Sequence, residues 1–309
     1  MERYRRTFSR TIPTGDRAVL RIENRNGQTR VRAHDGDDVV INVAAEFWAE
    51  SAEEAEREME RIAAGITAQG ETIEVRAPEH EWSPFQLFGW PGFRRHVHAG
   101  GVAVDVEVGD GGVDLDVDVW HATVDYDISS PTNASLKASA RNGHIEVSGL
   151  RGPVEAETRN GHVAVADAAR DVTAATRNGH ITLARCGAAA SANSRNGRIG
   201  IESAEGPVAV ETRNGMVEIS DAGAAVRAST HNGALRYRGA VRGDFSLETS
   251  NGSVTLTVPA ESRFEIDAES RHGSVRSDLT VREQAVGANG ARPKVHIRTG
   301  FGSIRIREA

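Results

Sequence analysis

The stretch Val154-Glu155-Ala156-Glu157-Thr158-Arg159-Asn160-Gly161-His162-Val163-Ala164-Val165 decides the fold, because its neighbours repeat it. Asn-Gly recurs at Asn142-Gly143, Asn160-Gly161, Asn178-Gly179, Asn196-Gly197, Asn214-Gly215 and Asn232-Gly233, each pair 18 residues beyond the last. The pattern then loosens through Asn251-Gly252 to His272-Gly273 and Phe301-Gly302. Within a unit, apolar and polar residues alternate on both sides of the turn, which is the period of a half-buried strand. Aligned units keep their columns, as in Ile145, Val163, Ile181, Ile199, Val217 and Leu235.

Asn-Gly is also the strongest short hairpin signal. Hairpins alone would not hold the interval between turns constant, whereas coils stacked at ~4.8 Å must be equally long. The expected fold is therefore all-β: a single-stranded parallel β-solenoid with 18-residue coils over 131–309. Region 1–130 is expected to be β-rich, with its own Arg25-Asn26-Gly27 turn and one helix near 51–64. Ser51 is the N-cap of that helix, Glu54 completes a capping box and Gly65 stops it. Stacked glycines would supply left-handed backbone at the corner, and stacked asparagines would hydrogen-bond from rung to rung.

Composition agrees. The 309 residues are 39% hydrophobic but only 5% aromatic, which suits a thin two-sheet interior filled by Ala, Thr and Val. The formal charge of -7 argues against a general nucleic-acid binder. Cys186 is the only cysteine and has no disulfide partner. No run reaches the ~18 apolar residues of a membrane span, and Met1 to Thr14 lacks the apolar core of a signal peptide. As written the chain reads as cytoplasmic, with the cell envelope as its setting if a leader has been removed.

These features resemble the bacterial putative-adhesin family of β-strand-repeat proteins, whose function is unknown. The resemblance rests on Leu20 to Val43 and on Tyr126 to Val258, about half the chain. It implies an envelope-associated binding or scaffold role with no active site to carry over. Bactofilin-like polymer-forming coils are a structural neighbour, and end-to-end polymerisation is the alternative function.

Three features are candidate sites. The loop over 81–98 carries Trp82, Phe85, Phe88, Trp90 and Phe93, which either cap the solenoid end or dock a partner. Asp105, Glu107, Asp110, Asp114, Asp116 and Asp118 form an acidic set, read as a solvated face that discourages edge pairing. Arg141, Arg159, Arg177, Arg195 and Arg213 precede successive turns, and His144, His162 and His180 follow them. Like charges piled at ~4.8 Å repel unless Glu155, Glu157, Glu202, Glu211 and Glu218 interleave or an anion arrives. The ligand expected there is an anionic envelope polymer or a protein.

No enzyme signature is present: Cys186 lacks a placed histidine, the serines lack a nucleophile-elbow setting, and no phosphate loop ends in Lys-Ser/Thr. The expectation is a non-enzymatic protein without cofactor or metal. A polysaccharide-acting β-helix enzyme is a minor alternative.

Overall fold

The computed structural model describes residues 2–77, 97–99, 102–109, 112–119, 122–279 and 292–309. The loop aromatics Trp82, Phe85, Phe88, Trp90 and Phe93, and also Asp110, lie outside these residues. Val97–Ala99, Val102–Gly109 and Gly112–Val119 pair as a small antiparallel sheet, with Asp105 opposite Asp116 and Glu107 opposite Asp114.

The rest is a β-solenoid whose two walls are a 13-stranded and a 12-stranded sheet. One coil shows how the alternating pattern becomes a wall. Val154–Asn160 lies in the 12-stranded sheet with Val154, Ala156 and Thr158 buried, the chain turns at Gly161, and Val163–Ala168 lies in the 13-stranded sheet with Val163 and Val165 buried. The next coil repeats this in parallel register, Val154 against Val172 and Val163 against Ile181. Each buried Val or Ile contributes about 1.5–3 kcal/mol relative to exposure. Pairing at an interval of 18 continues to Asn214 against Asn232 and then becomes 19, Asn232 against Asn251. At that longer coil Tyr237 and Phe245 meet edge to face at 4.7 Å, and the Tyr237 hydroxyl donates to the Ala240 carbonyl at 2.7 Å.

Val19–Asn26 and Thr29–His34 form a coil of the same stack, pairing in parallel with Ser135–Asn142 and Ile145–Ser148. Beyond it the walls become partly antiparallel: Asp38–Ala49 pairs against Ala122–Pro131, and Glu2–Pro13 against Asp38–Ala49. The helix Ala52–Ala64 packs on Asp38–Ala49 and buries Ala55 and Ile62. The Ser51 hydroxyl accepts from Glu54 N at 3.2 Å, as its N-cap role requires. The Glu54 carboxylate, however, accepts from Glu50 N at 2.7 Å, so the box closes one residue earlier than expected.

The other end holds a topological surprise. The coil Lys294–Phe301 and Ile304–Glu308 is inserted between the coil Phe245–Asn251 and Val254–Val258 and the coil Glu265–His272 and Val275–Ser277. Residues 265–277 are therefore the outermost rung, and Ile266 and Val275 are 41% and 46% exposed there.

The corners bear out one expectation in part. Positive φ that favours glycine occurs at Gly27 (120°), Gly302 (151°) and, at 154° to 157°, at Gly161, Gly179, Gly197 and Gly233, but not at Gly143, Gly215 or Gly252. What excludes a side chain at all of these corners is the rung below: a Cβ on Gly179 would lie 1.8 Å from the Gly161 carbonyl oxygen. That oxygen accepts from the Thr176 hydroxyl at 3.2 Å. True left-handed backbone occurs at the opposite corner, at Asp167, Arg185, Ser203 and Asp221, with φ between 51° and 59°.

Candidate functional site

The Asn-Gly corner is built in three columns, and the hydrogen-bonding capacity of each side chain decides its role. Asparagine carries both a donor and an acceptor, so it can chain without limit. The Asn160, Asn178, Asn196, Asn214 and Asn232 amides each donate to the Asn side-chain oxygen one rung back at 2.8 Å. Asn142 extends the ladder to Asn26 at 3.0 Å, and Asn251 donates to Asn232 at 2.9 Å. Beyond Asn251 the column changes to Phe301 and His272, whose rings stack at 4.6 Å.

The histidine column is a second ladder. His144 and His162 stack at 4.7 Å, and His162 and His180 at 4.9 Å. Each Nδ1 accepts a backbone N–H of the next rung at 3.1 Å, from His162, His180 and Arg198 in turn. An accepting Nδ1 carries no proton, so the ladder requires neutral rings. Desolvation first, then the neighbouring His144 and His180, hold the His162 pKa below its ordinary value.

Arginine, a donor without an acceptor, cannot ladder with itself. Arg159, Arg177, Arg195 and Arg213 are exposed, and among the described residues these four make no ion pair or side-chain hydrogen bond. Two of the glutamates expected between them, Glu155 and Glu218, serve other cations. Glu155 accepts from Lys137 at 2.9 Å, in register one rung away. Glu218, in the 13-stranded sheet, pairs with Arg236 at 3.0 Å and with Arg198 just before Ile199–Ala204 of the same sheet. Desolvation pushes the Glu218 carboxyl up, but hydrogen bonds from Arg198 and Arg236 outweigh this and leave its pKa lowered. In-register stacking sets Arg159 against Arg177, never against a carboxylate.

Together the arginine and asparagine columns line one open groove of ≈ 730 Å³, from Arg141 and Asn142 through Arg213 and Asn214 to His231 and Asn232. Of the residues expected at the site, the five arginines come together here, while His144, His162 and His180 are not part of the lining. His231 belongs to the site and was not expected there. Its signal was in the register, since His231-Asn232-Gly233 occupies the place of Arg-Asn-Gly.

Elsewhere chemistry is sparse. The Cys186 thiol is buried and desolvation raises its pKa, the opposite of an activated nucleophile. Among the described residues no group of His, Cys, Asp and Glu could hold a metal ion, and no helix is long and apolar enough to cross a membrane.

No curated protein matches the chain. Among solved structures, a putative cell adhesion protein from Clostridium sporogenes ATCC 15579 aligns over 100% of both chains at 10% identity, with a TM-score of 0.21. A putative adhesin from Bacteroides fragilis NCTC 9343 aligns over 98% of this chain and 97% of its own at 11% identity, with a TM-score of 0.37. A putative lipid binding protein from Parabacteroides distasonis ATCC 8503 aligns over 98% and 96% at 10% identity, with a TM-score of 0.26. Overlays this loose bear on no functional question. Sequence comparison is decisive where they are not: the Toastrack DUF4097 profile matches residues 19–307, from the first Asn-Gly coil to the inserted one, and the chain belongs to that family.

Proposed function

We propose that this protein is a non-enzymatic binding scaffold that holds a linear anionic polymer along its Asn-Gly corner. One observation carries the reading: Arg159, Arg177, Arg195 and Arg213 stand in register along a single groove, exposed, with no carboxylate partner among the described residues. Two like charges 4 Å apart repel by about 1 kcal/mol even in bulk water. A fold that keeps such a row unneutralised is preorganised for an anion, and guanidinium forks suit carboxylate or phosphate. The formal charge of -7 does not oppose this, because attraction at contact depends on the local row. An envelope setting follows from the resemblance to adhesin-like repeat proteins and is part of the proposal.

The test is to replace Arg159, Arg177 and Arg195 together with Ser and measure retention on immobilised dextran sulfate. Retention should be lost, with the melting temperature nearly unchanged and wild-type retention weakening as salt rises. Unchanged retention sinks the reading. Unfolding of the triple variant would make the arginines structural.

A further inference from the structure

We infer that the ligand class of this corner is a uronic-acid glycan: an extended polysaccharide with one carboxylate per sugar, lying along the solenoid axis with its carboxylates against the arginine row. The inference rests on the polyanion reading above and adds the spacing, the chemical group and the length.

Spacing comes first. The ring centroids of His144, His162 and His180 are 4.7 Å and 4.9 Å apart, a direct ruler for the rise per coil at this corner. Sheets ordinarily twist by about 20–25° per strand, which would fan a surface column out of line, and side-chain ladders are among the devices that flatten them. Here the asparagine ladder repeats at 2.8 Å over five successive rungs. The arginines beside it therefore form a row in step with a ligand whose own repeat is near the coil rise. An extended pyranose chain advances by about that distance per sugar, and a linkage that turns successive sugars over presents a carboxylate to the row at every second rung. Charges on a polyphosphate follow one another more closely, and each duplex DNA strand carries a phosphate every ~3.4 Å of axis.

The donors supply the second argument. An Asn amide has two N–H donors, and the ladder uses one. Each rung thus offers a guanidinium fork and a spare amide donor on two side chains that line the same groove. A planar carboxylate takes two parallel N–H bonds from the fork in charge-assisted geometry, and the amide is left for a neighbouring sugar hydroxyl. A stripe selected for charge alone would need no such amide row.

Length is the third. The column begins in the groove at Arg141, passes through Arg159, Arg177, Arg195 and Arg213, and ends at His231. His231 Nδ1 lies 3.1 Å from the Ser250 hydroxyl, where the arginine row has ended. The four arginines without an ion pair, Arg159 to Arg213, span three rungs of ~4.8 Å, a charged track of about 14 Å. Linked contacts along such a track raise avidity until the ligand outgrows it.

Oligogalacturonates from disaccharide to decasaccharide, titrated calorimetrically against the full chain, test this. Inorganic polyphosphates of matched charge number are titrated in parallel. Affinity for the uronates should rise with chain length, level off near the tetramer, and exceed that for matched polyphosphate by at least tenfold. In Arg177→Ser, which interrupts the row between Arg159 and Arg195, the plateau should fall to about two sugars, set by Arg195 and Arg213. A disaccharide that binds as tightly as the decasaccharide overturns the register while leaving anion binding intact. Polyphosphate binding as tightly as uronate overturns the carboxylate assignment alone. If neither anion binds, the polyanion reading itself fails.

Discussion

The two corners of a coil solve the same turn by different means, and the difference explains why one carries an invariant motif and the other does not. At the Asn-Gly corner the backbone of one rung lies directly on the next: across Gly161, Gly179, Gly197, Gly215 and Gly233 an added Cβ would sit 1.7–1.9 Å from the oxygen below. No side chain fits, so the residue type is dictated. At the opposite corner Asp167, Arg185, Ser203 and Asp221 adopt φ of 51° to 59° with their side chains in solvent. The cost there is conformational, about 1–2 kcal/mol for a residue with a Cβ, and any polar residue can bear it. Steric exclusion by backbone writes a motif; dihedral strain at a solvated position does not.

Breaking the first corner should have the larger effect. Gly179→Val places a branched side chain where the Gly161 carbonyl already sits, and we expect a loss of about 3 kcal/mol or more in urea unfolding. A variant melting within a degree or two of the parent would show that the rungs can part at the corner, and the contrast between corners would collapse. The second corner should respond with the opposite sign. Ser203→Gly removes a left-handed Cβ from an exposed site, and part of that gain is offset by the greater freedom of Gly in the unfolded chain. The expected net stabilisation is about 0.5–1 kcal/mol, read as a higher urea midpoint with unchanged slope. A destabilised Ser203→Gly would mean that the hydroxyl, not the dihedral, matters there.

The smallest expected effect sharpens the comparison within the first corner. The His162 pKa is lowered in the folded protein from 6.5, so the unfolded chain takes up protons first as pH falls. Stability from this group is therefore complete above pH 6.5 and declines as pH falls from 6.5 through the lowered folded value. Protonation also removes the acceptor that the backbone N–H of His180 uses. Melting temperature followed from neutral to mildly acidic pH should drop less in His162→Asn than in the parent. Parallel curves would remove the histidine ladder from the account.

Much of this was legible in advance, for reasons that can be named. The period, the buried columns and the asparagine ladder were readable because every rung must meet its neighbour in the same way. The helix was readable because Ser51 and Glu54 carry its start locally. The left-handed corner was mostly hidden: Gly149 and Gly239 mark the two ends of its column, but Asp, Arg and Ser at φ near 55° between them leave no compositional trace. The fate of the arginines was not legible: alternation shows which residues face outward, but not that Glu155 would meet Lys137 and Glu218 would meet Arg236. The order of the last coils was hidden as well. Lys294–Phe301 and Glu265–His272 satisfy the same column rules, and only long-range pairing decides which lies inside.

That exchanged order has a consequence in time. While the chain is being synthesised, residues up to Val258 can stack as they emerge, each coil on a finished one. Residues 265–277 cannot, because the surface they pair with is made of Lys294–Phe301 and Ile304–Glu308. The outermost rung must wait, its strands unpaired, until a later stretch has been made and has slipped beneath it. Assembly of the solenoid is vectorial along most of its length and retrograde at its final step.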